Sequence, residues 1–171
     1  NETDELRTKI TEAVERLITD EKVDTFLFGS KSEFDRLCLE LVTKLKEKGY
    51  RVVLATNPLF PSVATESRIK WAGLESKDFE LFTTYENYHY CKPNPKYYEN
   101  ILGQSGLSPD ECLMVGNDVD EDMIAETLGM KVFLLTDCLI NSVGADISVY
   151  PNGDCDALYD YLVRVTAPDG E

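Results

Sequence analysis

Short apolar runs, each closed by a turn residue and followed by a stretch of helical period, recur along most of this chain. That alternation confines it to α/β layering around a parallel sheet. The clearest runs are Arg51-Val52-Val53-Leu54-Ala55, Cys112-Leu113-Met114-Val115 and Lys131-Val132-Phe133-Leu134-Leu135, with a shorter one at Phe79-Glu80-Leu81-Phe82. Predicted helices lie over residues 33–48, from Pro61 to Gly73, from Pro95 through Leu102, over 120–128 and over 154–163. The first of these carries Phe34, Leu37, Cys38, Leu41, Val42 and Leu45 on one stripe, which is helical spacing. Gly49, Gly73 and Gly129 stand where helix stops are expected, and a proline opens two of the helices. Upstream, Leu6, Ile10, Val14, Leu17 and Ile18 predict an amphipathic helix over residues 4–18. Thr25-Phe26-Leu27-Phe28, ended by Gly29-Ser30, reads as a short strand or a loop anchor.

A length of 171 residues suits one domain with at most a small appendage. The expected division is a helical segment over residues 1–20 and an α/β core over 21–171. Lys and Arg number 17 against 32 Asp and Glu, a formal net charge of -15. Such a surface repels nucleic acid and anionic membranes, so neither is an expected partner. It would repel a phosphorylated substrate too, unless a metal ion or a well-placed lysine reverses the sign locally. No apolar run approaches the roughly 18 residues a membrane span needs, and the first residues lack the form of a secretory leader. Five cysteines, an odd number without a C-x-x-C pair, argue against a zinc site or a disulfide framework. They read as reduced thiols in a cytoplasmic protein. The first residue is Asn rather than Met, so the sequence is expected to begin inside an open reading frame, after processing, or at the first ordered residue.

In open α/β sheets, ligands bind beyond the carboxyl ends of the strands. Three groups of residues stand there. Thr56-Asn57 follows the strand at 51–55, and a hydroxyl beside a carboxamide can bond an anion's oxygens or simply turn the chain. Cys91-Lys92-Pro93-Asn94-Pro95 holds a lysine at a proline-rich helix start, where it is either a fixed point charge for a phosphate or an ordinary solvated residue. Val115-Gly116-Asn117-Asp118-Val119-Asp120-Glu121-Asp122 crowds four acids just after an apolar strand. Packed carboxylates repel unless a cation sits among them, and an oxygen-rich open site suits Mg²⁺. The alternative is a set of acids favoured at a helix N-terminus, which accounts for Asp120 and Glu121 better than for the turn before them. His89, the single histidine, reads as a loop-packing or substrate-edge residue rather than a catalytic base, and Trp71, Phe79 and Phe82 read as core or surface packing. Tyr97 and Tyr98 are expected to pack the helix that presents Lys92.

Taken in order, these pieces resemble the second, third and fourth motifs of the haloacid dehalogenase-like hydrolase superfamily. They are Lys46-Glu47-Lys48-Gly49-Tyr50-Arg51-Val52-Val53-Leu54-Ala55-Thr56-Asn57, then Cys91-Lys92-Pro93-Asn94-Pro95, then Val115-Gly116-Asn117-Asp118 through Gly129-Met130. The resemblance spans about residues 33 to 140. It implies a Rossmann-like three-layer parallel sheet and, for most members, Mg²⁺-dependent phosphatase activity on a small phosphorylated molecule. It further implies that Thr56 binds the phosphoryl oxygens with Asn57 assisting. Lys92 would offset charge on the nucleophile and the transferring group, and Asp118 and Asp122 would hold Mg²⁺. In the family's usual pattern the first acid directly follows the glycine. Here Asn117 stands there and Asp118 comes one later, so Asn117 and Asp118 are both candidates for the inner ligand. A phospho-receiver domain uses similar residue types, but places its acid pair first and its Lys-Pro last.

The family's first motif, a strand ending in Asp-x-Asp whose first acid attacks phosphorus, has no counterpart before Thr56. The Asp-x-Asp triplets of the chain all come later: Asp118–Asp120 and Asp120–Asp122, within the fourth motif, and Asp154–Asp156 near the last helix. Two expectations follow. In one, the motif lies outside the recorded residues, the chemistry passes through an aspartyl-phosphate, and residues 1–20 are the remnant of a helical cap. In the other, residues 23–28 are the first strand, Gly29 or Ser30 stands at the nucleophile position, and the chain is a catalytically inactive binding or regulatory module.

Overall fold

The computed structural model describes residues 33–165. The helix expected over 4–18, the run at 25–28 and the boundary at residue 20 lie outside the described residues. The chain forms two compact units that divide between His89 and Tyr90.

In the first unit, α1 (Glu33–Glu47) closes at Gly49, whose φ is +84°. The Gly49 N–H donates to the Lys46 carbonyl at 2.9 Å and the Tyr50 N–H to the Leu45 carbonyl at 3.0 Å. α2 (Ser62–Trp71) closes the same way at Gly73, φ +83°, with bonds of 2.9 Å to Lys70 and, from Leu74, 3.1 Å to Ile69. This is the paired bonding of a Schellman motif. Its left-handed residue costs a glycine nothing, so both glycine stops work as the sequence reading expects. β1 (Val53–Leu54) and β2 (Leu81–Phe82) pair in parallel, Val53 beside Leu81 and Leu54 beside Phe82. The ladder is carried outward by Glu80 N–H to Val52 at 2.9 Å and Thr83 N–H to Leu54 at 3.2 Å. Lys46 meets Asp78 at 2.5 Å and Arg51 pairs with Glu80, tying the entrance of β1 to that of β2.

In the second unit, α3 (Pro95–Ser105) opens on Asn94, whose side chain accepts the Lys96 N–H at 3.0 Å. Pro95 then sits in the first turn, where a missing N–H loses nothing. β3 (Leu113–Gly116), β4 (Lys131–Leu135) and β5 (Asn152–Gly153) form a parallel sheet in that order. Leu113 to Gly116 pair with Lys131 to Leu134, and Leu134 and Leu135 pair with Asn152 and Gly153. β4 lies in the middle, with Val132, Phe133, Leu134 and Leu135 all buried, as a parallel strand covered on both faces should be. α4 (Cys155–Val165) buries Leu158 and Leu162 and sets Tyr161 against Phe133, ring centroids 5.1 Å apart.

Every described strand pairing is parallel, and the α/β class expected from the sequence holds. The second unit departs from the sequence reading in two places. β5 was not foreseen. The helix expected over 120–128 is instead a 3₁₀ segment, Met123–Leu128, that starts beyond the acids and stops at Gly129. The acids themselves explain this. Asp118 Oδ1 accepts the N–H groups of Asp120 and Glu121, both at 2.9 Å. Short carboxylate side chains offer nearby backbone donors a local partner, and here that turn replaces a first turn of α-helix.

Candidate active site

Thr56 and Asn57 belong to the first unit and follow β1 after Ala55. The Thr56 hydroxyl lies 3.4 Å from the Thr83 carbonyl and 3.5 Å from the Thr83 hydroxyl. The Thr83 hydroxyl donates to the Thr56 carbonyl at 2.5 Å. The two threonines therefore brace each other at the carboxyl ends of adjacent parallel strands. Asn57 accepts the Leu59 N–H at 2.8 Å through its carbonyl, which turns the chain sharply after the strand. Thr83 and Thr84 are fully buried, and the Thr84 N–H and hydroxyl both reach Asn87 Oδ1 at 2.9 Å. Sequence reasoning passed over Thr83. The available signal was a pair of hydroxyls, Thr83-Thr84, at the end of an apolar run, the place in the pattern where Thr56 stands after its own run.

Lys92, Asn117, Asp118 and Asp122 belong to the second unit. The Lys92 ammonium meets Asp122 Oδ1 at 2.5 Å, with the two side chains only 8% and 5% exposed. It also stands 6.0 Å from the centroid of the buried Tyr97 ring, within reach of a cation–π attraction. The Lys92–Pro93 peptide is cis. Asp122 Oδ2 accepts the N–H groups of Asn117 and Asp118, both at 3.0 Å. One carboxylate thus neutralises the lysine and braces the turn after β3. Such a pair is desolvated, and its attraction is tolerable only because the remaining lone pairs are also bonded.

Asp118 is half-buried. Its Oδ1 holds the two turn N–H groups, while among the described residues its Oδ2 takes no hydrogen bond. Tyr98 reaches the same turn from α3. Its hydroxyl donates to the Glu121 carbonyl at 2.7 Å, and burial, then the charge of Asp122, push that hydroxyl well above the usual tyrosine range. Tyr97 and Tyr98 are buried and stack edge to face at 5.0 Å, so they pack the helix behind Lys92 as the sequence reading expects. His89 is exposed.

A family model of haloacid dehalogenase-like hydrolases matches residues 1–125. The pyrophosphatase PpaX of Bacillus cereus (strain AH820) is 29% identical over 92 residues, covering 54% of this chain and 41% of its own. The D-ribitol-5-phosphate phosphatase of Bacteroides thetaiotaomicron is 28% identical over 134 residues, covering 76% of this chain and 64% of its own. The crystal structure of a HAD phosphatase from Thermococcus onnurineus has a TM-score of 0.55 at 19% identity, covering 93% of this chain and 80% of that one, a likeness of fold. The chain spans about two fifths of the length of the pyrophosphatase.

Proposed function

The chain belongs to the haloacid dehalogenase-like hydrolase family, and from that premise we propose that it serves a Mg²⁺-dependent phosphatase acting on a small phosphorylated molecule. The observation that carries the reading is the contact between Lys92 and Asp122. A lysine and an aspartate 30 residues apart meet at 2.5 Å in a nearly dry setting, behind a turn that presents Asp118. A fixed ammonium there is a point charge suited to the oxygens of a transferring phosphoryl group. The pair itself carries no net charge, so the local reversal of sign that a chain of net charge -15 needs to accept an anion would come from a bound Mg²⁺ beside it.

The donor set fits Mg²⁺ as part of a site. Carboxylate oxygens are the ligands this ion favours, and it keeps several waters. Asp118 offers an oxygen without a hydrogen bond. Asp122 has both oxygens engaged and would serve the site by holding Lys92 and the turn, with Asn117 the remaining candidate of the loop. Among the described residues no group of three His, Cys, Asp or Glu side chains gathers to hold a metal, so further ligands would come from water and from outside those residues. When bound, Mg²⁺ neutralises charge on the transferring group. Thr56 and Asn57 would donate to the phosphoryl oxygens, and Lys92 would stabilise the charge that develops on them. The attacking carboxylate of an aspartyl-phosphate route would come from a first-motif Asp-x-Asp, and no Asp-x-Asp stands before Thr56 in these 171 residues. The protein acts, on this reading, in the cytoplasm. The described cysteines Cys91, Cys112, Cys138 and Cys155 are all free thiols, and no described helix is long and apolar enough to cross a membrane.

The test is hydrolysis of small phosphate esters by the full-length gene product, with and without Mg²⁺. Turnover that needs the ion and is lost in both Lys92→Ala and Asp118→Ala is the expected result. Near-wild-type turnover in either variant would overturn the assignment. No turnover of any ester by the intact protein would leave a binding or regulatory module instead.

A further inference from the structure

The position directly after Gly116 carries an amide where an acid is the family's usual choice, and the surroundings of that amide say what it is for. The Asn117 Nδ2 lies 2.7 Å from the Cys138 carbonyl oxygen. The Asn117 carbonyl accepts the Ile140 N–H at 2.8 Å, and the Ile140 carbonyl accepts the Val119 N–H at 3.0 Å. Asp118 and Ile140 form an isolated parallel bridge. The segment after β4, residues 136–140, is therefore sewn to the turn after β3 by hydrogen bonds. Apolar burial does not seat it, because Cys138, Leu139 and Ile140 are all exposed. The side chain at 117 supplies the one bond in this seam that depends on residue type. A carbonyl oxygen faces it, so it must present a donor. An aspartate carboxylate would set oxygen against oxygen at hydrogen-bond distance.

We infer that Asn117 is a positioning residue: its amide N–H fastens residues 136–140 to the acidic turn, which leaves Asp118 as the inner carboxylate for the cation. The second half of this inference rests on the phosphatase reading above. The first half stands on the seam alone.

The experiment uses the full-length protein, with hydrogen exchange at the Ile140 and Val119 amides as one readout and Mg²⁺ binding by calorimetry, with the metal salt alone, as the other. In Asn117→Asp, protection of Ile140 falls on the order of tenfold at neutral pH, the size expected when a hydrogen bond is replaced by an unmet acceptor. Protection at the amides of the β3–β4 ladder stays at the wild-type level, which a general loss of packing would not allow. Asn117→Ala lowers protection of Ile140 in the same confined way and serves as the second variant. Asp118→Asn leaves Ile140 protected and loses Mg²⁺ affinity by on the order of tenfold or more. Unchanged protection in both Asn117 variants overturns the positioning role. Full Mg²⁺ affinity in Asp118→Asn, with the exchange results as expected, overturns the metal reading while leaving the seam in place.

Discussion

The carboxylate of Asp122 occupies the volume that a side chain on Gly116 would fill: a Cβ built there would overlap the Asp122 carboxyl group. The last residue of β3 is thus small so that the acid six positions later can fold back over the strand end. Its backbone conformation is one any residue can adopt, because Gly116 is not among the glycines with positive φ. Space, not flexibility, explains this glycine. Gly116→Ala should therefore push Asp122 away from Lys92 and from the Asn117 and Asp118 N–H groups, and cost about 1–3 kcal/mol, the usual range for overpacking. Urea unfolding of wild type and variant measures it. An unchanged midpoint would mean that the carboxylate shifts freely.

Lys92 and Asp122 are not equivalent partners. Asp122→Ala leaves a desolvated lysine without that counter-ion and strands two backbone N–H groups, and should cost about 3–5 kcal/mol. Lys92→Met leaves the carboxylate its two backbone donors, each such bond being worth about 1 kcal/mol or more to a charged acceptor. The lysine variant should then be the more stable of the two by at least about 1 kcal/mol, read from the same urea titrations. The reverse order would show that the ion pair, not the brace on the turn, governs this site.

Much of this was legible in the sequence because local rules act on consecutive residues. α1 ends where a glycine follows an apolar stripe, α2 runs from just after a proline to just before a glycine, and β4 is an unbroken apolar run after Lys131. The identities of Thr56, Lys92, Asp118 and Asp122 as candidates came from order and spacing. β5 was illegible for the opposite reason. Asn152-Gly153 has no apolar pattern, and it is a strand only because Leu134 N–H takes the Pro151 carbonyl and Thr136 N–H the Gly153 carbonyl, each at 2.8 Å. The acidic turn read as a helix because helix N-termini favour acids. Which N–H groups those acids would bind is a matter of side-chain direction that period cannot give. The Lys92–Asp122 pair and the Thr56–Thr83 brace join residues 30 and 27 positions apart, and nothing local specifies either.

Tyr98 holds the acidic turn from the other side. Tyr98→Phe keeps the ring and its stacking on Tyr97 but removes the donor to the Glu121 carbonyl. A loss of about 1–1.5 kcal/mol is expected for the bond, with faster hydrogen exchange confined to residues 117–122 and little change in α3. Uniformly faster exchange across the unit would mean that the ring's packing, not its hydroxyl, was disturbed.

The same hydroxyl, with that of Tyr88, sets an alkaline limit. Burial pushes Tyr88 up to about 12, and Tyr98 is raised further by burial and by the neighbouring Asp122. An unfolded tyrosine ionises near pH 10. A folded pKa above the unfolded one means that the native state holds its proton longer, so this contribution to stability is complete below about pH 10. It drains away as pH rises through 10 toward 12 and beyond, because the unfolded chain then sheds protons that the native one keeps. Phenolate absorbance across an alkaline titration should show Tyr88 and Tyr98 ionising late, together with unfolding. Tyr98→Phe should move the unfolding midpoint to higher pH relative to its own stability at neutral pH. Ionisation of both residues near pH 10 without unfolding would show that neither hydroxyl is sealed from water.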